Sequence, residues 1–253
     1  MDLTGKVVIV VGACGRLGRE VVLSAWQSGA TVLAADTDRD QLEEMKKQFI
    51  DRISVYVCDI TSTASVQELL SFGVATYGRL DGAVNAAYPR NTSYGRHFFD
   101  VSIEDFCENV SLHLGGYFLF MQQCAKYAVD GGVKFSLVNI SSVYGVISPR
   151  FDVYQGTEMT MPVEYAAIKS ALQHISRYTT SYTKGSQFRV NCVSPGGIEA
   201  GQDPTFLQRY RQLSGSKGML DSRDVVGAVR FLLSDASEYV CGQNIVVDDG
   251  FST

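Results

Sequence analysis

Residues 6–20 read KVVIVVGACGRLGRE and contain the pattern that decides the fold. After Lys6 the run is continuously apolar to residue 11, which predicts a strand covered by helices on both faces. Gly12, Gly15 and Gly18 separate this strand from a helix that we expect to reach Trp26. Glycines permit a tight turn, and the N-terminus of the helix offers unpaired N–H groups to a phosphate. The stretch therefore predicts a phosphate-binding turn, although many tight turns use glycine for shape alone.

Outward from this unit, strand-like and helix-like segments alternate with short connections. We predict further strands at 31–35, 53–58, 80–85, 133–140, 188–193 and 243–247. We predict helices at 39–50, 64–77, about 102–127, about 163–182, 204–213 and 222–234. This order is typical of a single-domain, Rossmann-like α/β fold over residues 1–253. We expect a doubly wound parallel sheet of about seven strands with helices on both faces.

Composition excludes several classes of protein. The chain has 253 residues, of which 45% are hydrophobic and 19% charged, so we expect a folded core rather than long disorder. A net charge of −5 does not suit a nucleic-acid partner, and no apolar run is long enough to cross a membrane. The six cysteines form no CxxC pair and no Cys/His cluster with metal-ligand spacing. We expect a cytoplasmic protein that binds no metal.

An acidic residue ends the second predicted strand, in VLAADTD. There the carboxylate of Asp36 can accept hydrogen bonds from the adenosine ribose of a dinucleotide and repel a 2′-phosphate. The alternative is that Asp36 only caps the following helix. Asp59, which follows the third strand, is a candidate contact for the adenine edge. We predict NAD(H) in preference to NADP(H), but Arg16 in the glycine turn keeps NADP(H) open, because a basic side chain can hold a phosphate.

Tyr165 and Lys169 lie four residues apart on the helix predicted at 163–182, so their side chains share one face. YxxxK alone is a weak motif. Here it is the only match in the chain, it follows a strand that ends in VNISS, and FRVNCVSPGG comes after it.

With the glycine turn, these segments make the chain resemble the short-chain dehydrogenase/reductase family over nearly its whole length. The resemblance implies an oxidoreductase in which Ser142 binds the substrate oxygen and Tyr165 exchanges a proton with that oxygen. Lys169 would hold the nicotinamide ribose and lower the pKa of Tyr165, since an ammonium favours the phenolate. VDDG at 247–250 resembles the closing motif of the family. The implied cofactor-binding residues are Gly12, Gly15, Arg16, Leu17, Gly18, Asp36, Asp59, Ile60, Asn85, Ala86, Tyr165, Lys169, Pro195, Gly196 and Ile198.

Four features depart from the usual pattern of the family. The glycine spacing, G-x-x-G-x-x-G, is similar to that of a larger two-domain branch, and Arg16 stands where the commoner pattern has its middle glycine. His113 replaces an asparagine that supports a proton-relay water, and Ala200 replaces a threonine. The interval between Ser142 and Tyr165 is longer than usual. We predict that His113 assists the relay, since imidazole can carry protons. The alternative is an ordinary, hydrogen-bonded helix histidine.

The long interval 143–162 leaves the serine strand and returns to the tyrosine helix, so we expect it to cover the active site. With Ser142, the predicted substrate contacts are Arg150 and Tyr154 in this interval and Arg90 after the fourth strand. They predict a mouth richer in polar and charged groups than an acyl-chain pocket, although each could instead be a solvated loop residue. The interval, with MTMPVEYAAIK and GQNIVVDDGF, resembles the flagellin-modification-protein-A type of the family, from bacterial surface-sugar gene clusters. This resemblance implies a sugar or sugar-phosphate substrate.

Two other functions stay open at this point. A non-catalytic dinucleotide-binding scaffold or sensor would account for His113 and Ala200. A nucleotide-sugar epimerase or dehydratase would account for the glycine spacing, but the chain is short for the C-terminal substrate domain of that branch.

The two longest predicted helices, 102–127 and 163–182, carry many aromatic residues. One helix face packs on the sheet, so some of these side chains are left for a second surface. The resemblance also implies subunits paired through these helices, and we expect a homo-oligomer, specifically a tetramer. The aromatic residues are Phe106, Tyr117, Phe118, Phe120, Tyr178 and Tyr182.

Overall fold

Seven strands form one parallel sheet in the computed structural model, which describes residues 1–253. They are β1 (Val7–Val11), β2 (Thr31–Asp36), β3 (Ile53–Val57), β4 (Gly82–Asn85), β5 (Phe135–Ile140), β6 (Phe188–Pro195) and β7 (Asn244–Val247). Their order across the sheet is β3-β2-β1-β4-β5-β6-β7, and every neighbouring pair is parallel. The strand order reverses between β1 and β4, and ligands bind at the carboxyl ends of the strands at such a point. The predicted doubly wound α/β sheet is confirmed.

Helices cover both faces of the sheet. They are α1 (Arg16–Gln27), α2 (Arg39–Lys46), α3 (Thr63–Tyr77), α4 (Ile103–Asn109), α5 (Gly115–Gly131), α6 (Val163–Tyr182), α7 (Pro204–Gln212) and α8 (Ser222–Leu233). Short 3₁₀ turns lie at Phe98–Asp100, Val143–Gly145, Phe151–Tyr154 and Asp235–Ser237.

The strand β1 shows why its sequence is apolar without alternation. Val7, Ile9 and Val11 belong to the core layer under α3 and α5, whereas Val8 and Val10 belong to the layer under α1 and α8. All five side chains are buried, because the sheet is covered on both sides. This double cover holds the carboxyl end of β1, and the glycine turn after it, in a rigid frame.

The helix predicted at 102–127 is not a single regular helix. A π-helical turn at Val110–Leu114 separates α4 from α5, and it carries His113. The helical segment then continues past residue 127 to Gly131 and ends at Gly132, whose φ of +59° suits glycine. Single π turns within α-helices often lie at functional sites, because they turn one side chain out of the regular register.

Candidate active site

The glycine turn packs the start of α1 against the end of β1. Gly12 has a φ of +75°, and a Cβ there would lie 2.5 Å from the backbone N of Ala87. A Cβ on Gly18 would overlap the carbonyl oxygen of Gly12, so only glycine permits this close packing. Gly15 is the N-cap of α1 and provides no side-chain cap, and the first turn has no acidic residue. The first N–H groups of α1 are therefore available to an anion such as a pyrophosphate.

Beside this turn, a cavity of about 430 Å³ opens at the carboxyl ends of β1, β2 and β3. Asp36 stands in it with Oδ2 accepting the N–H of Cys14 at 2.9 Å and Oδ1 accepting the N–H of Thr37 at 2.8 Å. The cap of α2 is Asp38, which accepts the N–H of Gln41, so the alternative that Asp36 is only a helix cap is wrong. These groups fit an adenosine ribose. The predicted residues that line this cavity are Gly12, Gly15, Asp36, Asp59, Ile60 and Ala86.

A second cavity, of about 470 Å³, meets the first at residues 86–88. It lies at the carboxyl ends of β4, β5 and β6 and extends beneath the long interval that follows β5. We call it the reaction cavity. It brings together the predicted residues Leu17, Ala86, Ser142, Tyr154, Tyr165, Lys169, Pro195, Gly196 and Ile198.

Three predicted cofactor residues line neither cavity. The Arg16 guanidinium donates to the backbone oxygen of Glu199 at 3.0 Å, which links the glycine turn to the loop after β6. Gly18 serves the packing of α1 described above. Asn85 is fully buried, and its Oδ1 accepts the N–H of Ala87 at 3.2 Å, so it shapes the turn after β4.

Ser142, Tyr165 and Lys169 converge in the reaction cavity because β5 ends beside the start of α6. Lys169 Nζ donates to the Ile140 backbone oxygen at 2.8 Å and lies 5.6 Å from the centre of the Tyr165 ring. The Ser141 hydroxyl donates to the Lys169 backbone oxygen at 3.0 Å, which ties the strand end to the helix. Tyr165 and Ser142 both line this cavity, and the Ser142 hydroxyl oxygen accepts the N–H of Tyr144 at 3.2 Å. A carbonyl oxygen between these hydroxyls would meet two donors at once.

Burial controls the ionisation of these groups. Removal of the phenol from water raises the pKa of Tyr165, an effect that the nearby Ser142 hydroxyl opposes in part. Burial also lowers the pKa of Lys169 to about 7. Desolvation disfavours the charged form of both groups and sets the direction of both shifts, so the influence of Lys169 on the pKa of Tyr165 stays a prediction.

His113 is fully buried in the π turn, below the loop that follows β4. Its ring lies 4.9 Å from that of Tyr88 and 5.3 Å from that of Tyr117, measured between centroids. Neither Nδ1 nor Nε2 has a hydrogen-bond partner, so the alternative of an ordinary, hydrogen-bonded histidine is wrong. Burial, with the positive charges of Lys169 and Arg90, lowers the pKa of His113 to about 2. The imidazole is therefore neutral at physiological pH.

The interval 143–162 covers the reaction cavity, as predicted from the sequence. Met159, Thr160, Met161 and Pro162 line the cavity just before α6 begins. Tyr154 also lines it, and its hydroxyl donates to the hydroxyl of Tyr144 at 3.4 Å.

The two arginines predicted to contact substrate do not line the reaction cavity. The Arg90 guanidinium lies 4.8 Å from the ring centre of Tyr88, at the rim. Arg150 donates to the backbone oxygen of Thr253 at 3.2 Å and lies over the Phe251 ring. Lys169 is the only charged side chain in the lining. The two arginines expected at the mouth therefore do not enter the cavity, because the aromatic ring beside each one binds its guanidinium.

Sequence reasoning missed the aromatic and methionine wall of the cavity. Phe206 and Tyr210, one turn apart on the buried face of α7, form part of it. The Tyr210 hydroxyl accepts the N–H of Gly197 at 2.7 Å, and its ring stacks on Phe251 at 4.0 Å. The helical spacing indicates only a buried face, and it does not tell which space that face borders. The missed lining residues include Tyr88, Tyr117, Tyr144, Met159, Met161, Phe206, Tyr210 and Met219.

The aromatic residues of the two long helices divide as expected between the core and a second surface. Tyr117 and Phe120 are buried, whereas Phe118, Tyr178 and Tyr182 are exposed. The exposed rings border a groove of about 750 Å³ between α5 and α6, in which Tyr178 stacks on Tyr182.

No helix of the chain is both long and apolar enough to cross a membrane. All six cysteines are free thiols, and no cluster of three or more His, Cys, Asp or Glu side chains could hold a metal ion.

The sequence is similar to proteins of known family along its whole length. A family model described as enoyl-(acyl carrier protein) reductase matches residues 12–252. The post-translational flagellin modification protein A of Campylobacter coli is 35% identical, covering 98% of this chain and 99% of that protein. The 3-oxoacyl-(acyl-carrier-protein) reductase of Thermotoga maritima is 30% identical, covering 99% of each chain.

Solved structures show similarity over the same length of the chain. A short chain dehydrogenase from Leptospira borgpetersenii, determined with bound NAD+, is 30% identical and has a TM-score of 0.85. The alignment covers 100% of this chain and 94% of that one. A short-chain type dehydrogenase/reductase from Mycobacterium marinum is 26% identical with a TM-score of 0.86, covering 99% and 96% of the two chains.

Proposed function

This chain belongs to the short-chain dehydrogenase/reductase family of NAD(P)-dependent oxidoreductases, and we propose that it interconverts an alcohol and a carbonyl with NAD(H) as its cofactor. The observation that carries the proposal is the convergence of Ser142, Tyr165 and Lys169 in one cavity that adjoins the glycine turn. A non-catalytic scaffold would have no need of this set, so the intact set argues for an enzyme.

Asp36 supports the preference for NAD(H). Its carboxylate is held toward the glycine turn by the N–H of Cys14, where it would accept hydrogen bonds from the ribose hydroxyls and repel a 2′-phosphate. The guanidinium of Arg16 is engaged by the Glu199 carbonyl, which reduces its availability to a phosphate.

In the proposed reaction, Tyr165 exchanges a proton with the substrate oxygen. Bound nicotinamide would supply or accept the hydride at the substrate carbon. In reduction the Tyr165 hydroxyl donates its proton to the developing alkoxide, and in oxidation the phenolate removes it. The Ser142 hydroxyl stabilises the same oxygen, and the Lys169 ammonium stabilises the phenolate and holds the ribose.

We also propose that His113 assists proton exchange between this site and solvent. Its two unpaired ring nitrogens lie close to Tyr88 and Tyr117, in the interior next to Lys169. A neutral imidazole can accept a hydrogen bond at one nitrogen and donate at the other, so it could order a water without taking a net charge.

For the substrate, we propose a sugar or another hydroxylated ring. The similarity to flagellin modification protein A supports a surface-sugar role. Aromatic side chains such as Tyr154 and Phe206 suit the C–H faces of a ring, and the tyrosine hydroxyls offer hydrogen bonds to its polar edge. Because Lys169 is the only charged side chain in the lining, a phosphate or nucleotide on the substrate would extend out of the cavity.

A substrate screen tests this proposal. Neutral sugars, sugar phosphates and nucleotide sugars would be incubated with each of NAD+, NADH, NADP+ and NADPH while absorbance at the reduced nicotinamide band is followed. We expect turnover of a hydroxylated ring with NAD+ or of its keto form with NADH. Tight NAD binding without turnover of any carbonyl or alcohol would instead support the scaffold or sensor.

We propose further that the protein is a homotetramer that pairs through α5 and α6. Exposed Phe118, Tyr178 and Tyr182 form an aromatic surface larger than isolated surface residues would. Sedimentation at micromolar concentration would show a monomer if this is wrong. The six free thiols suit a reducing compartment, so we propose that the protein works in the cytoplasm.

A further inference from the structure

The buried ammonium of Lys169 has no anionic partner. The residue is 3% exposed, and its Nζ has one hydrogen-bond acceptor, the backbone oxygen of Ile140. Buried ammonium groups are costly unless they are paired, so something else must offset the loss of water.

Three tyrosine rings surround this ammonium. Nζ lies 5.0 Å from the ring centre of Tyr117, 5.6 Å from that of Tyr165 and 6.0 Å from that of Tyr88. A cation at the face of an aromatic ring within about 6 Å is attracted by the electron density of the ring, and the attraction is largest where water is excluded. The rings come from the loop after β4, from α5 and from α6, so only the tertiary structure brings them together.

We propose that Tyr88 and Tyr117 are positioning residues whose ring faces keep Lys169 protonated and directed at Tyr165 and the cofactor ribose. The proposal deepens the function proposed above and rests on it for its catalytic consequence. It assigns a role to the rings of two tyrosines whose hydroxyls have their own hydrogen-bond partners within the protein.

The other ionisable groups around Lys169 do not replace this role. Tyr165 faces it from α6, His113 from the π turn and Cys192 from β6. Burial raises the pKa of Cys192 to about 11, so this thiol is neutral at physiological pH, as is His113. Arg90 lies over the Tyr88 ring and is itself positive, so it cannot pair with the ammonium. No carboxylate forms an ion pair with Lys169, which leaves the rings and one carbonyl as its stabilising surroundings.

The ring and the hydroxyl of each tyrosine have separate partners, which makes their contributions separable. The Tyr117 hydroxyl donates to the backbone oxygens of Asn85 at 3.0 Å and Ile140 at 3.3 Å. The Tyr88 hydroxyl donates to that of Tyr94 at 2.7 Å. Phenylalanine keeps the ring and loses these bonds, whereas leucine fills much of the volume and loses the ring.

The test compares Tyr88→Phe, Tyr88→Leu, Tyr117→Phe and Tyr117→Leu with the natural protein. In protein labelled with ¹³C at lysine Cε, NMR titration follows the ionisation of Lys169, whose signal is assigned by its absence in Lys169→Arg. This measurement needs neither substrate nor turnover. Tyr127→Leu, on the same helix but remote from the site, is the control for lost aromatic packing on α5.

We expect each leucine variant to raise the acid dissociation constant of Lys169 about three- to tenfold, and each phenylalanine variant to leave it nearly unchanged. The effect should be larger at Tyr117, which is closer. In the reduction direction, the midpoint of the fall of kcat/KM with rising pH should move to lower pH by the logarithm of that factor, about 0.5 to 1 pH unit. Tyr88 lies on an exposed loop, so its variants remain informative if Tyr117→Leu does not fold.

Three results would overturn the proposal. The first is an unchanged acid dissociation constant of Lys169 in a folded leucine variant, and the second is an equal change in the phenylalanine and leucine variants. The third is a pH dependence of kcat/KM that stays the same although the titration of Lys169 has shifted. If Lys169 titrates as expected but no substrate is turned over, the aromatic role stands and the proposed function fails.

Discussion

The cleft has a cofactor half, which is the cavity beside the glycine turn, and a substrate half, which is the reaction cavity. The two halves are lined by different kinds of residue. The cavity beside the glycine turn is lined by backbone, glycines and short acidic side chains that directly follow β1, β2 and β3. The reaction cavity is lined by tyrosines, methionines and Phe206, which come from the loop after β4, from α5, α6 and α7, from the interval 143–162 and from the loop that carries Met219.

The difference teaches where specificity resides in this molecule. A phosphate and a ribose can be held by N–H groups and one carboxylate, which the strand ends position without help from distant segments. A substrate ring needs shaped walls, and these depend on side chains packed from several elements, such as Tyr210 on Phe251. We therefore expect substitutions in the cofactor half to be poorly tolerated, and the walls of the substrate half to determine which substrate ring binds.

The largest expected effect lies in the reaction cavity, at Tyr165. Tyr165→Phe removes the hydroxyl that exchanges the proton and leaves the ring beside Lys169. We expect kcat to fall on the order of 10²–10⁴-fold or more, while the NAD(H) dissociation constant measured by calorimetry changes little. Tyr178→Phe, on the exposed part of the same helix, is the control. A Tyr165→Phe enzyme with most of its activity would show that another group is the acid/base.

A second experiment changes one residue of the cofactor half and leaves the substrate half unaltered. Asp36→Asn keeps the shape of the side chain and removes the charge that would repel a 2′-phosphate. We expect the preference for NAD(H) over NADP(H), taken as a ratio of dissociation constants, to fall about 10- to 100-fold. Asp40→Asn, an exposed change in the first turn of α2, should leave the ratio unaltered. Equal binding of both cofactors by the natural protein would remove the assigned role of Asp36 and implicate Arg16.

A third experiment concerns His113, which is buried in the π turn and lines neither cavity, and it is a test of stability. The pKa of His113 is about 2 in the folded protein and near its ordinary value of 6.5 in the unfolded chain. As the pH falls below 6.5 the unfolded chain binds a proton that the folded protein does not, so the free energy of unfolding decreases.

The expected decrease from this group is about 1.4 kcal/mol per pH unit, or roughly 2 kcal/mol between pH 6.5 and pH 5. His113→Asn should lose that part of the pH dependence in urea unfolding, whereas His97→Asn, at an exposed position, should retain it. The same His113 variant, assayed for turnover, would support a relay role if its rate falls while its cofactor affinity is unchanged.

The smallest effect is expected in the substrate half, at Arg150. Its guanidinium binds the Thr253 carbonyl and the Phe251 ring rather than the reaction cavity. We expect Arg150→Ala to change KM by less than about threefold and the free energy of unfolding by about 1 kcal/mol or less. Tyr154→Ala, which removes a cavity wall, should raise KM far more. A large KM effect at Arg150 would show that the arginine turns to the substrate during the reaction.

The sequence alone determined the parallel α/β sheet, the glycine turn, the place of Asp36 and the shared helix face of Tyr165 and Lys169, whereas the meeting of Ser142 with these two was implied by the family resemblance. The first four features follow from local rules, because a continuous apolar run, a turn that requires glycine and a spacing of four on a helix act over a few residues. The end of a parallel strand also has a known location in such a sheet, so residues that follow strands could be placed before any contact was seen.

Only the tertiary structure decided which charges reach the site and how they ionise. The sequence pattern placed Arg90 and Arg150 near the mouth, but the ring of Tyr88, in the same loop, binds the guanidinium of Arg90, and the ring of Phe251, about a hundred residues further along the chain, binds that of Arg150. It placed Lys169 beside Tyr165, but the desolvation that governs both pKa values is a property of all the surrounding elements. The π turn that buries His113 and the rings around Lys169 likewise depend on packing between segments distant in sequence, because burial and contact are not properties of any one segment.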